Sequence, residues 1–269
     1  MKAKQALQHT QVPVFRYAHP GGDFGPLPGS AVSRMTQAIP LDAFDGVESP
    51  KAMGLLFAQQ RAHVVVVHGL AKDLYRSKRM FCLVRTLDFR KRAQNETLEY
   101  IAQIANDQWV DYIVGAADQF ASSWLFPLHA QVPHADLFCI HCAEAGEKSP
   151  KDLALPPGTT MLTVNRLDAL SKFLLDAMAG RLIIPASLPN GLLLAGSLTV
   201  PGITWSGRKG SRPRYCRWSR TDDALARTAM LADIVVASAS SHFGGYVVQE
   251  WVRGKAPPAK PRKSNGRVE

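Results

Sequence analysis

The chain has 269 residues, of which 46% are hydrophobic and 20% charged, and this composition excludes a disordered or fibrous protein. The formal net charge is +10, and the excess lies in two short segments. Residues 208–220 hold six Lys or Arg and no acid, and residues 253–267 hold six more. Such concentrated charge suits a polyanionic partner, because each phosphate contact releases a counterion. A solvated loop and a solubilising tail explain the pattern equally well.

The ends of the chain differ in composition from its centre. Residues 1–36 are rich in Pro, Gly and Gln and are predicted to be an arm or linker. Residues 254–269 are predicted to be a basic disordered tail, which leaves 37–253 as the folded domain. The first 16 residues lack the apolar core of a signal peptide. With four cysteines and no disulfide framework, we expect a reducing, cytoplasmic setting.

The first predicted elements are strands and one helix. A short strand is expected within residues 36–44, ending near Asp42, and residues 49–60 suit a helix that Pro50 begins. Residues 63–68 and 80–87 are rich in β-branched and apolar side chains and are predicted to form a hairpin.

Helices and strands then alternate along the chain. Residues 95–106 form an amphipathic helix, and an apolar strand over 109–117 ends at Asp118. A helix over 121–130 and a strand over 135–140 follow.

The second half continues the pattern. A helix is predicted over 165–179, and Gly180 ends it. The uncharged run over 182–206 contains three prolines and is predicted to form strands and turns rather than a membrane span. A basic hairpin and a final helix over 221–237 follow. The whole pattern indicates an α/β protein with a mixed sheet and helices on both faces.

Acidic residues stand at three places that suit metal binding. Asp118 follows a buried strand, where α/β sheets place their sites, although an ordinary loop acid fits too. Asp222 and Asp223 begin the last helix, where capping explains one of them but not both. Asp42 or Asp45 would be the third ligand, or else lies in a plain loop. Two-metal phosphodiester cleavage needs such carboxylates around Mg²⁺ or Mn²⁺.

The basic segment GRKGSRPRYCRWSR interleaves arginines with aromatic residues. This pattern suits a β-ribbon that holds phosphates while the aromatic rings pack on sugar or base, although the rings could instead belong to the core. The candidate nucleic-acid contacts are Arg208, Lys209, Arg212, Arg214, Tyr215, Arg217, Trp218 and Arg220.

The sequence Cys139-Ile140-His141-Cys142 has the spacing of half a zinc site. A closed structural site needs four ligands, and no second pair of this kind occurs, so buried strand thiols are favoured over zinc. The chain also lacks the glycine-rich motifs that bind nucleotide phosphates or dinucleotides.

Five stretches, taken in order, resemble one family. HVVVVHGLAKDLYRSKRMFCLVRTLDF is similar to its second and third strands, and ETLEYIAQIAND with VDYIVGAADQF to its next helix and acid-bearing strand. TVNRLDALSKFLLDAMAGRLIIP and WSRTDDALARTAMLADIV resemble later helices. The family is the RNase H-like nuclease domain of the large terminase subunits of tailed phages, and residues 63–238 resemble it.

The resemblance implies a metal-dependent endonuclease that cuts double-stranded phage DNA during genome packaging in the bacterial cytoplasm. Asp118 would match the second acidic ligand, and Asp222 or Asp223 the last. A separate packaging ATPase, portal or small terminase component would be the partner, since this chain has no nucleotide-binding loop, and no membrane is expected.

Three departures from the family pattern keep a second hypothesis open. Only Asp42 or Asp45 is available as the first-strand acid, Gln119 and Phe120 follow Asp118 in place of a glycine-rich turn, and Ala226 stands where many members have His. The alternative is a catalytically inactive RNase H-like subunit for nucleic-acid binding or assembly.

Overall fold

The computed structural model describes residues 27–41, 50–58, 60–70, 78–88, 93–118, 121–143, 153–205, 213–217 and 223–240. The helices in these ranges are α1 (Gly29–Met35), α2 (Gln94–Asp107), α3 (Ala121–Gln131), α4 (Arg166–Met178), α5 (Gly191–Leu198) and α6 (Ala224–Ser240). The strands are β1 (Thr36–Gln37), β2 (Lys51–Ala58), β3 (Arg61–Leu70), β4 (Lys78–Asp88), β5 (Tyr112–Ala116), β6 (Asp136–Ala143), β7 (Thr160–Asn165), β8 (Leu182–Pro185), β9 (Gly202–Trp205) and β10 (Pro213–Arg217). None of the helices described is long and apolar enough to cross a bilayer.

Eight of the strands form one mixed sheet in the order β1-β8-β4-β3-β2-β5-β6-β7. Strand β3 is antiparallel to its neighbours β2 and β4, and every other adjacent pair is parallel. Seven strands therefore end at one side of the sheet, which we call the carboxyl edge, and β3 begins there. The opposite side is called the amino edge.

Helices cover both faces of this sheet, as the sequence pattern predicts. Along β3, Val65 and Val67 pack into the core formed with α1, α4, α5 and α6. Val64 and Val66 point the other way, into the core formed with α2 and α3. Successive side chains of a strand alternate between faces, so a strand buried on both faces is apolar throughout. This explains why HVVVV shows no polar alternation.

Helix α6 lies directly on the centre of the sheet, and a glycine allows the approach. A Cβ atom added to Gly54 on β2 would lie 2.2 Å from the backbone oxygen of Thr228 on α6. The helix runs antiparallel to β2, since Asp233 near its far end contacts Arg79 at the start of β4. The first turn of α6 therefore lies at the carboxyl edge.

The helix predicted over residues 49–60 is wrong, because Lys51–Ala58 forms β2 at the centre of the sheet. Residues 52–56 are buried on both faces, and a short apolar run of this kind has no period that separates a strand from a buried helix. Gly54 and the preceding Pro50 fit the strand.

Of the strand predicted over residues 36–44, the structure describes residues 36–41, and within these the strand is Thr36–Gln37, at the outer edge of the sheet beside β8. Residues 27–35, predicted as part of an arm, pack on the core through Leu27, Ala31 and Met35. Composition indicated a linker there because the stretch combines Pro and Gly with a few apolar residues that tertiary contacts bury.

The predicted uncharged segment over 182–206 contains β8 and β9 but also helix α5, which the strand-and-turn prediction missed. Strand β7 was missed as well. The expected basic hairpin corresponds to β9 and β10, an antiparallel pair in which Gly202 lies opposite Arg217. Strand β10 packs against α4.

Candidate functional site

The carboxyl edge brings together several elements that the sequence analysis singled out. Strands β2, β5, β6 and β7 end there, and α4 begins there directly after Asn165 of β7. Helix α6 also begins at this edge. The partial positive charges of both helix N-termini therefore point to the same edge.

Asp118 lies two residues beyond β5, in a bend that leads to α3. Its backbone N–H donates to the Ala116 carbonyl (3.0 Å), and its own carbonyl accepts from the Ala121 N–H (3.1 Å). The side chain is half-buried. Burial and the nearby Asp118 carboxylate together raise the pKa of Cys139 to about 12. Cys139 packs in the core formed with α2 and α3, which places Asp118 near that face.

Asp223 stands at the N-cap position of α6, and its side chain is fully buried. Its backbone carbonyl accepts the Arg227 N–H at 2.9 Å, and its carboxylate lies 3.2 Å from the Arg227 Nε. The two residues are four apart on the helix, the spacing at which side chains meet. The Arg227 side chain is 30% exposed although its Nε is buried, so part of this side chain reaches the surface while the acid does not.

The Asp223–Arg227 pair lies above the end of β2. Gly54 on β2 lies against Thr228 on α6. Leu56 lies two residues further along β2, about 6.7 Å nearer the carboxyl edge. Asp223 lies five residues before Thr228 on α6, which is also about 7.5 Å nearer the carboxyl edge. Leu56 shares the α6 face with Ala52 and Gly54, and it is buried. The strand end beneath the ion pair is therefore apolar.

His63 on β3 is the neighbour of Leu56 across the sheet. The imidazole is buried, and its Nδ1 lies 3.2 Å from the Thr86 hydroxyl on β4. Burial, together with the charges of Arg61 and Arg227, lowers the pKa of His63 to about 4. The imidazole is therefore neutral at pH 7, in a setting that is already positive.

Arg166, the first residue of α4, caps the end of β6. Its Nε and Nη2 donate to the Cys142 carbonyl at 3.3 and 3.1 Å. Burial raises the pKa of the Cys142 thiol to about 11, although Arg166 and Arg227 both act to lower it. Helix α6, which carries Arg227, packs on β2, β3 and β5, so Arg227 lies at the same edge of the sheet as the end of β6.

The zinc hypothesis does not fit the strand geometry. Cys139 packs in the core formed with α2 and α3, whereas Cys142 packs against the core formed with α6. Residues three apart in a strand point to opposite faces, so one metal ion cannot bind both thiols.

Several predicted site residues lie outside the described residues. These are Asp42, Asp45, Asp222, Arg208, Lys209, Arg212, Trp218 and Arg220. The backbone of Arg214, Tyr215 and Arg217 is described, as part of β10.

Within the described ranges, no group of three His, Cys, Asp or Glu side chains is placed to hold a metal ion. Strand β2, which lies beside β5, has no acidic residue from Lys51 to Ala58. The described residues therefore do not fit the Mg²⁺ or Mn²⁺ pair that a two-metal centre requires.

The arginines of this edge were not among the predicted site residues. Arg227 carried a usable signal, because it stands four residues after Asp223 on a helix. Arg166 was identified only as part of the start of a helix. His63 gave no signal, since a histidine at the end of an apolar strand is common in protein cores.

No model of a known protein family matches the chain, and no curated protein matches it. Among solved structures, the nuclease domain of the large terminase subunit gp2 of bacterial virus Sf6 is similar at 9% identity and a TM-score of 0.47, over 77% of this chain and 97% of that one. The large terminase nuclease from thermophilic phage G20c with bound magnesium is similar at 13% identity and a TM-score of 0.40, over 69% and 81%.

RuvC from Thermus thermophilus is similar at 10% identity and a TM-score of 0.33, over 71% of this chain and 98% of that one. The chain itself forms an α/β fold with one eight-stranded mixed sheet and helices on both faces, as the sequence pattern predicts. At these identities the similarity concerns the fold alone, so function is argued from this chain's own residues.

Proposed function

We propose that this protein binds nucleic acid at the carboxyl edge of an RNase H-like sheet and on the adjacent basic ribbon, without metal-dependent cleavage. The observation that carries the proposal is the pair of arginines at this edge. Arg166 contacts the Cys142 carbonyl, and Arg227 pairs with Asp223, while β2 ends there in Leu56 and Ala58. A guanidinium group has five N–H donors, so one that already contacts a carbonyl or a carboxylate can also bind a phosphate.

The basic ribbon supports the same proposal. Arg217, at the base of the β9–β10 pair, precedes Asp223 by six residues, so about 20 Å of extended chain at most separates them. Arg217 is therefore attached close to the carboxyl edge, and the stretch 208–220 to which it belongs has six positive residues in its sequence. Arginine side chains bind phosphate in a bidentate manner and do not by themselves read sequence.

Fluorescence anisotropy with a labelled DNA duplex over a range of salt concentrations tests the proposal. Binding should weaken steeply with salt, and Arg214→Gln/Arg217→Gln should lower the log–log slope by about 0.9 for each phosphate that the variant no longer neutralises. The charge-matched control is Arg34→Gln/Lys78→Gln, two exposed residues near the amino edge. Equal reductions of affinity in both variants, or binding that ignores salt, would rule the proposal out.

A second candidate is a metal-dependent endonuclease that cuts double-stranded phage DNA during packaging. The end-of-strand position of Asp118 and the Asp222–Asp223 pair at the start of α6 favour it. These acids, with Asp42 or Asp45, would hold Mg²⁺ or Mn²⁺. A separate packaging ATPase, portal or small terminase component would then act with this chain in the cytoplasm of the bacterial host.

Incubation with supercoiled plasmid separates the two candidates. The binding proposal predicts that plasmid stays intact in Mg²⁺, in Mn²⁺ and in EDTA, while its mobility in a gel is retarded at low salt. Metal-dependent nicking that Asp118→Asn abolishes would establish the endonuclease instead. The control is Ser123→Ala, a substitution at an exposed position of α3, which is purified and assayed in the same way.

A further inference from the structure

We propose that Arg166 and Arg227 form an anion site at the carboxyl edge that holds a phosphate of the nucleic-acid backbone without a metal ion. This inference rests on the proposed function and gives the binding surface a specific centre. The Asp223–Arg227 pair lies over the apolar end of β2, at the middle of the sheet. The Arg227 guanidinium and the Asp223 carboxylate therefore share this region.

Both arginines are held in place from the protein side. Nε and Nη2 of Arg166 donate to the Cys142 carbonyl, and Nε of Arg227 lies 3.2 Å from the Asp223 carboxylate. These contacts orient the planar guanidinium groups before a ligand arrives. A pre-oriented arginine loses less side-chain entropy on binding than a free one.

The two arginines lie at the same edge. Helices α4 and α6 pack against each other and both begin at the carboxyl edge, and Arg166 and Arg227 belong to their first turns. Arg61 lies at the start of β3, with Asp88 opposite it on β4. The N-termini of α4 and α6 add their partial positive charges at the same edge. A phosphate diester is the anion that this combination suits in a nucleic-acid-binding protein.

The neutral state of His63 is consistent with this site. Its imidazole is buried beside Leu56 and contacts the Thr86 hydroxyl, so it contributes no charge of its own at pH 7. The donors for an anion at this edge are therefore the arginine guanidinium groups.

The experiment compares Arg166→Gln and Asp223→Asn/Arg227→Gln with the wild-type chain in buffer that contains EDTA. The double variant removes the buried acid together with its partner, so that no charge is left unpaired in the interior. The control is Arg181→Gln, an arginine that is also paired with an aspartate but lies after α4, near the amino edge. Circular dichroism confirms that each variant is folded.

Wild-type protein should bind a labelled duplex equally well with EDTA and with Mg²⁺, and inorganic phosphate should compete. Arg166→Gln and the double variant should each reduce the salt slope by about 1, whereas Arg181→Gln should not. If both variants keep the wild-type slope while the β10 variant Arg214→Gln/Arg217→Gln loses affinity, the inference fails, and of the proposed function only nucleic-acid binding through the basic ribbon stands. If wild-type binding needs Mg²⁺, the inference also fails. If wild-type protein does not bind the duplex, the proposed function itself fails.

Discussion

Arg79 on β4 donates from Nε to the Asp233 carboxylate on α6 at 2.6 Å, and from Nη2 to Asp176 on α4. All three side chains are buried at the amino edge. This ion cluster fixes both helices to the sheet at the end opposite to the candidate site. It therefore sets the direction in which α4 and α6 present their first turns at the carboxyl edge.

Arg79→Met should lower the free energy of unfolding by about 3–5 kcal/mol, because two buried carboxylates lose their main partner. Urea denaturation followed by circular dichroism measures the decrease. The triple variant Arg79→Met/Asp176→Leu/Asp233→Leu should recover most of it, since the buried charges are then gone. A triple variant no more stable than Arg79→Met would show that the arginine acts through packing instead.

Gly54→Ala should destabilise the fold by roughly 1–3 kcal/mol and weaken binding of a DNA duplex. The added methyl group would lie 2.2 Å from the Thr228 oxygen and 3.2 Å from the Ala232 Cβ, so α6 must move away from β2. That movement shifts Arg227. Gly196→Ala in α5, where nothing lies within 4 Å, is the control and should be neutral or stabilising. Wild-type stability in Gly54→Ala would contradict the close helix–sheet packing.

Stability should fall as the pH is lowered from about 6.5 towards 4. The pKa of folded His63 is about 4 and the ordinary pKa of a histidine is 6.5, so in this window the unfolded chain binds a proton that the folded chain does not. The effect amounts to roughly 3 kcal/mol at most. The melting temperature, measured at a series of pH values, should depend less on pH in His63→Gln than in the wild type. The variant His129→Gln, at an exposed position, should follow the wild type.

The stability contributed by Asp176 should disappear in a separate, more acidic range. Burial on its own raises the pKa of this carboxyl group, but Arg79 and Lys172 outweigh burial and hold the pKa below its usual 3.8. Its stabilising effect is present above that value and is lost as the pH falls through the lowered pKa. If His63→Gln lost its stability in a single transition near pH 6, the prediction that Asp176 acts in a separate and more acidic pH range would be wrong.

Cys139 should resist alkylation by iodoacetamide at pH 8, because the thiolate is the reactive form and the pKa of this buried thiol is about 12. Peptide mass spectrometry after timed labelling measures the rate. Asp118→Asn should change the rate little, since burial is the larger cause of the raised pKa. Rapid labelling of Cys139 in the folded protein would show that the core formed with α2 and α3 opens readily.

The strongly periodic or strongly β-branched parts of the fold were predictable. The helix over 95–106 and the strands over 63–68 and 80–87 are present within α2, β3 and β4. Their patterns depend on local side-chain spacing alone. The strand Lys51–Ala58 was not predictable, because burial on both faces removes the alternation that marks a strand.

The candidate site was only partly predictable, and the reason is physical. Asp118 could be placed at the end of a strand from the apolar run before it, because that prediction depends on the sequence of one strand. The Arg166 and Arg227 arrangement requires the ends of β6 and β7 and the start of α6 to meet, which involves residues far apart in the chain. No local pattern contains that information.

The position of α6 has a consequence for synthesis of the chain. The helix covers β2 and β3, yet it follows every strand of the main sheet in the sequence. On the ribosome, the central strands emerge with one apolar face uncovered until residues 224–240 have also been made. The nascent chain must therefore pass through a stage with an open hydrophobic surface, and a chaperone that shields such surfaces should improve the yield of native protein.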